Sequence, residues 1–522
     1  MSFPSAGNGP YRLFRAFCGG PIQAFARGCE AARDTQQERL RVVLGGMMGT
    51  AFAADHGIRG DEDLEAFRGK VPVRTHAELS GWLDRVEGGE AGVLTREAPS
   101  MLLETSGTTG RPKHLPVTTA WARSVADAQQ LWVLGLLRDD EGLASGKALS
   151  VVSVAEHARS AGGLPIGSNT GRMFLAQPWW VRWRAPVPYA AYGVEDPDLR
   201  AYCVLRHAVA QPVRSWTTAN PSTILLYCRR MREWWEDLRA DAADNTLCRG
   251  PAAALSPAER RRVRKGMARR RLGEDPHPAK VWPLRRVNCW TGGAASFFLG
   301  RLPAALGAAV PVREVGITAS EGYFAVPVDD GASVAWLAGH VLEFVDAQER
   351  VWSAWELVPG QEYRLVVSTE AGLYRYDMGD IVRCVGWMGE APRLVFVRKT
   401  GNVLNATGEK MTEDQVVTAA RVAFRTATGI SVSIGWSEVP VLRVAVEGEG
   451  SIDAFDASLR AQNVEYDSKR ASGRIDAAVL TRVPEGRFAD WRLARVRAGA
   501  PDAQVKDPVV LDADAWDKLV EG

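Results

Sequence analysis

The sequence predicts an α/β protein of two domains, and three patterns predict it. From residue 98 onward, short apolar runs bounded by Gly, Pro and Ser alternate with amphipathic helical stretches, the alternation that builds a sheet flanked by helices. A strand-rich block follows at residues 334–397. Beyond Arg398 the pattern resets to a helix and further strands, which divides the chain into residues 1–397 and 398–522. The 522 residues are 46% hydrophobic and 24% charged. That balance suits folded domains rather than disorder or coiled coil, and the length suffices for two or three of them.

The elements follow in order. The first 95 residues read as helical scaffold: residues 35–44 carry charges on one side, and 61–67 lead through Val71-Pro72-Val73 into an amphipathic run at 77–86. Apolar runs at 101–103 and 148–154 read as strands, and 121–137 and 223–238 as helices. In the strand-rich block the candidate strands are 341–345, 363–368 and 394–397. A helix at 413–424 opens the second domain.

Charge and composition exclude several classes. Lys plus Arg total 64 against 62 for Asp plus Glu, a net charge of +2 that gives no field for a nucleic acid. No run of about 18 apolar residues and no signal-peptide layout is present, so the expectation is a cytoplasmic protein without a membrane partner. Seven widely spaced cysteines lack any C-x-x-C pair and read as reduced packing residues. H-E-x-x-H and G-x-S-x-G are missing, and the seven histidines never pair at metal-ligand spacing. Eight basic residues within 260–271 read as the solvated face of a helix. Trp179, Trp180 and Trp183 read either as packing residues or as the wall of an aromatic pocket.

The chemistry concentrates in Glu104-Thr105-Ser106-Gly107-Thr108-Thr109-Gly110-Arg111-Pro112-Lys113. A loop so rich in Gly and hydroxyls presents N–H and O–H donors to phosphate oxygens, and Lys113 adds positive charge. It differs from a Walker A loop, because His114 stands where Ser or Thr would follow the lysine. His157, beside Glu156 and before the Gly162-Gly163 turn, is a candidate base toward an incoming amine, since histidine titrates near neutrality.

The Thr-Ser-Gly-Thr-Thr-Gly-x-Pro-Lys loop resembles that of the adenylate-forming (firefly luciferase-like) superfamily. Further motifs resemble the auxin-responsive Gretchen Hagen family of acyl acid amido synthetases, over nearly the whole chain. These are Phe67-Arg68-Gly69-Lys70 with Val71-Pro72-Val73, Gly163-Leu164-Pro165-Ile166-Gly167-Ser168, Thr291-Gly292-Gly293-Ala294, Ala319-Ser320-Glu321-Gly322 and Tyr374-Arg375-Tyr376-Asp377-Met378-Gly379-Asp380. In the second domain they continue with Glu409-Lys410 followed by Glu413, and with Gln504-Val505-Lys506-Asp507-Pro508.

The resemblance implies a large N-terminal adenylation domain with mixed β-sheets flanked by helices, plus a smaller mobile C-terminal α+β domain. It places ATP on Thr105, Ser106, Gly107, Thr108, Thr109 and Lys113, with Gly292, Gly293, Ala319, Ser320, Tyr376, Asp380 and the junction residue Arg398. Ser168 falls to the acyl side. Asp380, after a tight Met378-Gly379 turn, suits a carboxylate that accepts bonds from the ribose hydroxyls. Glu321 suits Mg2+, a hard cation that prefers oxygen. Lys410 and Lys506 are assigned to the negative charge that develops when a carboxylate attacks the α-phosphate.

The implied reaction joins a small carboxylic acid to an amine, an amino acid in this family, through acyl-AMP. ATP and Mg2+ are the cofactors, and the expected state is a monomer. The C-terminal domain is implied to swing between the two half-reactions. Alternatives are an acyl-CoA or carrier-protein ligase that uses the same intermediate, and a non-catalytic nucleotide-binding homologue.

Overall fold

Among the described residues, six helices precede the first strand: Gly9–Phe17, Gly19–Glu30, Ala32–Met47, Ala51–Asp55, Leu64–Lys70 and His76–Glu87. Local chemistry sets their ends. Asp63 caps Leu64–Lys70 by accepting from the Ala66 N–H, and Thr75 with Glu78 forms a reciprocal capping box on His76–Glu87. The computed structural model describes residues 3, 9–105, 113–400, 403–404, 406, 409, 411–437, 439–498, 505 and 507–521. Packing divides the chain into one unit of residues 1–185 and 313–396 and another of 186–312 and 397–522.

The first unit holds two sheets. A four-stranded sheet runs in the order Lys113–Val117, Met101–Thr105, Pro165–Gly167, Ala158–Arg159. Its first two strands form an antiparallel hairpin, and Pro165–Gly167 lies parallel to Met101–Thr105. Leu102, Leu103, Leu115 and Val117 anchor it in the core. The second sheet has eight strands, in the order Val351–Ser353, Val341–Val345, Glu362–Ser368, Tyr376–Met388, Ala391–Lys399, Ser333–Ala335, Gly322–Val326, Ile317–Ala319. Every residue of Val341–Val345 and Gly322–Val326 is buried, as strands with both faces covered require, the buried Glu343 being held by Arg375. The helix Thr119–Asp139 packs against Gly322–Val326.

The second unit is built from chain segments far apart in sequence. Val213–Thr217 and Arg286–Asn288 pair in parallel, with helices Pro197–Val209, Pro221–Glu233 and Trp235–Asp244 around them. Gly429–Trp436, Pro440–Glu447 and Asp476–Arg482 form a three-stranded sheet flanked by Glu413–Ala423 and Ile452–Gln462. Phe297 and Phe298 share one apolar cluster with Val416, Val432, Leu442 and Phe455. The α/β class is thus as the sequence predicts.

Four local expectations are corrected. The basic run at 260–271 is helical only to Val263, because Gly266 adopts a left-handed φ of 79°. Most of its basic side chains are exposed, as expected, but two turn inward: Arg260 donates to the carbonyls of Ala252 and Leu255, and Arg270 to those of Val209 and Val281. The strand expected at 148–154 is Lys147–Ser150. Residues beyond it cross Gly171 so closely that a Cβ there would lie 2.3 Å from the Ser153 oxygen. The helix expected at 223–238 is two, broken at Trp234. Trp179 and Trp183 are 76% and 71% exposed, so they are not core residues. Of the cysteines, five are buried, Cys29 is half-buried and Cys248 exposed, all as free thiols.

Candidate active site

The Gly- and hydroxyl-rich segment read as a phosphate loop begins and ends on two paired strands. Thr105 and Lys113 are cross-strand partners at the end of the Met101–Thr105 and Lys113–Val117 ladder. That register clamps the two ends of the loop together. Ser106, Gly107, Thr108 and Thr109 lie outside the described residues.

Behind the loop, the stem of the hairpin carries an ionic network that sequence reading missed. Glu104 and His114 are cross-strand partners. The Glu104 Oε2 lies 3.7 Å from His114 Nε2 and 3.4 Å from His157 Nε2, and His114 Nδ1 lies 3.0 Å from Glu87 Oε1. The carboxyl of Glu104 is held below its ordinary range by His114 and His157, against the effect of burial. The His114 imidazole is pushed up by Glu104 and Glu87, again against burial. The signal was present: once the loop is read as a hairpin, the residues flanking Thr105 and Lys113 must face each other.

His157 reaches Glu104 because of a glycine. Its N–H donates to the Ile166 oxygen at 2.9 Å, and residues 155–157 pass directly over Gly167. A Cβ at 167 would stand 1.8 Å from the Ala155 oxygen. Ser168, buried next to it, caps the helix Asn169–Ala176 by accepting from the Thr170 N–H. A capping role accounts for its hydroxyl.

A second group of predicted residues gathers on the eight-stranded sheet. Ser320 and Glu321 are the two-residue turn between Ile317–Ala319 and Gly322–Val326, with Ala319 paired to Gly322. The Trp121 indole N–H donates to the Glu321 carbonyl at 2.7 Å and fixes the turn. Tyr376 opens the strand Tyr376–Met388, and Asp380 is buried four residues along it. The phenol of Tyr376 is pushed up, first by burial and then by the nearby carboxylates of Glu321, Asp380 and Asp377. These predicted residues therefore share one neighbourhood. The carboxylate oxygens of Glu321 and Asp380 are hard donors of the kind that fits Mg2+.

Arg375 sets the entry to that strand. Its backbone is left-handed, with a φ of 48°, a conformation rare for a long side chain. Its guanidinium holds Glu343 with both branches, at 2.9 and 3.0 Å, and donates to the carbonyls of Arg68 and Val71. The Arg375 N–H donates to the Ser368 hydroxyl. Buried bonds of this kind over-determine the strained backbone.

The remaining predicted residues belong to the second unit. Gly292 and Gly293 follow the C-terminal end of Arg286–Asn288, where parallel strands open ligand crevices. Gly293 is left-handed, with a φ of 55°. Arg398 is in the strand Ala391–Lys399. Lys410 lies outside the described residues, next to a ribbon in which Leu404 pairs with Met411. Its neighbour Glu409 is turned inward, accepting from the Ala406 N–H. Lys506 also lies outside them; Val505 before it is buried, and Pro508 after it accepts from the Ser431 hydroxyl.

The fold is shared with solved ligase structures at low sequence identity. It superposes on AtGH3.15 acyl acid amido synthetase in complex with 2,4-DB with a TM-score of 0.84 at 19% identity, covering 96% of this chain and 95% of that one. A 2-hydroxyisobutyryl-CoA ligase in its postadenylation state aligns with a TM-score of 0.53 at 16% identity, over 94% and 93%. The chain belongs to the GH3 family: the family's N-terminal domain matches residues 21–312, its central domain 319–399 and its C-terminal domain 425–514. A probable indole-3-acetic acid-amido synthetase of Oryza sativa subsp. japonica is 24% identical over 473 residues, covering 78% of this chain and 75% of its own. A jasmonoyl-L-amino acid synthetase of Nicotiana attenuata is 24% identical over 445 residues, covering 77% and 75%.

Proposed function

We propose that this chain is an ATP-dependent acyl acid amido synthetase. It converts a small carboxylic acid to acyl-AMP with release of pyrophosphate, then passes the acyl group to the amine of an amino acid. The observation that carries this reading is the match to all three domains of the GH3 family, in order, with one relative named a probable indole-3-acetic acid-amido synthetase and another a jasmonoyl-L-amino acid synthetase.

The chemistry follows from the carboxylate, whose charge repels nucleophiles until AMP supplies a leaving group. The loop from Thr105 to Lys113 receives the phosphates, with Ser106, Gly107, Thr108 and Thr109 as donors. Asp380 accepts from the ribose hydroxyls, and Tyr376, Ala319, Ser320, Gly292 and Gly293 are assigned to the nucleotide by their motifs. Arg398 adds a contact at the domain junction. Lys410 and Lys506 stabilise charge on the phosphoryl oxygens as the acid attacks. Glu321 is the residue that would hold Mg2+, which neutralises phosphate charge when bound. Ser168 and His157 face the acyl and acceptor side. Residues 398–522 reorient between the half-reactions and bring Lys506 in for the first.

The test is carboxylate-dependent ATP–pyrophosphate exchange over a broad panel of acids, followed by product analysis with amino acids and with CoA. Exchange with one class of acid, reduced about 100-fold or more in Lys506→Ala, and amide rather than thioester product is the expected result. Silence across the panel with ATP binding intact, or thioester formation, overturns the proposal.

A further inference from the structure

The ionic network at the stem of the loop hairpin includes Glu104, Glu87 and His114, which are not among the residues assigned to the nucleotide. Glu104 offers one carboxylate oxygen to two imidazoles, His114 at 3.7 Å and His157 at 3.4 Å. His114 is itself tied to Glu87 on the helix His76–Glu87. A cross-strand ion pair needs only Glu104 and His114. The third member is brought in from elsewhere: residues 155–157 cross Gly167 at a distance no side chain allows, and a backbone bond to Ile166 holds His157 in place.

The geometry divides the two nitrogens of His157. Nε2 faces Glu104 at 3.4 Å, the arrangement in which a carboxylate orients an imidazole that acts as a base through its other nitrogen. Nδ1 has no hydrogen-bond partner among the described residues, and the side chain is 36% exposed. His157 is therefore oriented by a half-buried carboxylate yet open to an incoming molecule.

We propose that Glu104 is a positioning residue that holds His157 as the proton acceptor for the amine in acyl transfer. The inference rests on the amido synthetase reading above. The amine nitrogen attacks the acyl carbonyl, a C–N bond forms, and the C–O bond to AMP breaks, with the electron pair leaving on the phosphate oxygen. The surplus proton on nitrogen passes to Nδ1 of His157, and the resulting imidazolium is stabilised by Glu104. Adenylation has no such proton to dispose of, since a carboxylate attacks directly. Other charged groups facing the network are His76 and Asp84 on the helix His76–Glu87 and Lys113 on the second strand. Glu156 and Arg159 pair with each other at 2.8 Å beside His157.

The experiment uses the full chain and separates the half-reactions. Wild-type exchange with an acid is measured first, and its absence would indict the amido synthetase reading, not this one. Acyl transfer from enzyme-bound acyl-AMP to an amine is then followed against pH in single turnover. His157→Asn should slow transfer about 100-fold more than it slows exchange and remove the acid limb of the transfer profile. Added imidazole should restore part of the rate in His157→Ala. Glu104→Gln should keep that limb but move it about one unit toward lower pH, because the imidazolium loses its counter-charge. Equal losses in both half-reactions, an unchanged transfer rate, or a limb that stays in place in Glu104→Gln would each overturn the proposal.

Discussion

At the scale of single residues, charge placement turns sequence into stability as well as chemistry. Glu62 is buried, yet it accepts from the N–H groups of Arg59 and Gly60 and from the Lys70 ammonium at 2.6 to 2.8 Å. Burial favours its neutral form, but Lys70 and the backbone donors outweigh it and lower the carboxyl from 4.5 to about 2. A depressed carboxyl stabilises the fold above its unfolded value and loses that stabilisation as pH falls through the folded value. The difference corresponds to about 3 kcal/mol at pH 7. Glu62→Gln should therefore unfold at lower urea at pH 7, and the gap to wild type should narrow as pH drops from 4.5 toward 2. A gap constant over that range would show that the carboxylate is not its source. Glu62 was not legible as a stabilising residue, because an acidic residue in a charged turn carries no mark of its burial, and Arg375 was not, because its partners are distant in sequence. Arg375 meets Glu343, Arg68 and Val71 only once the sheet has formed. Glu321, Tyr376 and Asp380 were singled out by turn chemistry and local motif, and the sheet brings the three together.

At the scale of elements, strands were read best where both faces are buried. Residues 341–345 are a strand as expected, and 363–368 begins one residue earlier, because short runs dominated by β-branched and aromatic residues leave little competing pattern. Edges and crossings were read worst, since backbone proximity leaves no periodic trace. Gly167 is the clearest case. Gly163-Leu164-Pro165-Ile166-Gly167-Ser168 stood out as a motif, but nothing in it says that residues 153–157 lie on top of it. Gly167→Ala places a methyl against the Ala155 oxygen, and backbone on both sides leaves no flexible side chain to yield. The cost should be at least about 2 kcal/mol, in the range of overpacking. His157 should leave Glu104 as the crossing segment lifts. Thermal unfolding measures the first effect, and the pH profile of acyl transfer the second. A variant with wild-type stability and profile would mean that the crossing is loose.

At the scale of the whole molecule, two segments separate in sequence act as one in packing. Residues 397–522 share a core with Phe297 and Phe298 from the 186–312 segment. Arg492, buried on the helix Arg487–Arg497, donates to the hydroxyls of Ser222 and Thr223 at 2.8 and 2.7 Å and lies 3.5 Å from Asp507. Composition placed a boundary near Arg398, and one of the packing divisions falls between residues 396 and 397. The tie back to residues 222–223 was invisible, because an arginine in an amphipathic helix carries no mark of its partner. That tie bears on the proposed reorientation. If residues 398–522 swing alone, they must break the Arg492 bonds and uncover the Phe297 cluster at each turnover. If the 186–312 segment moves with them, these contacts persist. Arg492→Ala removes charged hydrogen bonds worth about 2 to 3 kcal/mol. Hydrogen exchange should quicken together in the helices Arg487–Arg497 and Pro221–Glu233, as it must when one cooperative unit opens. Under a solitary swing the same substitution should also speed the step between adenylation and acyl transfer, because the bonds it removes would belong to the resting state. Under joint movement it should leave that step unaltered while both helices loosen.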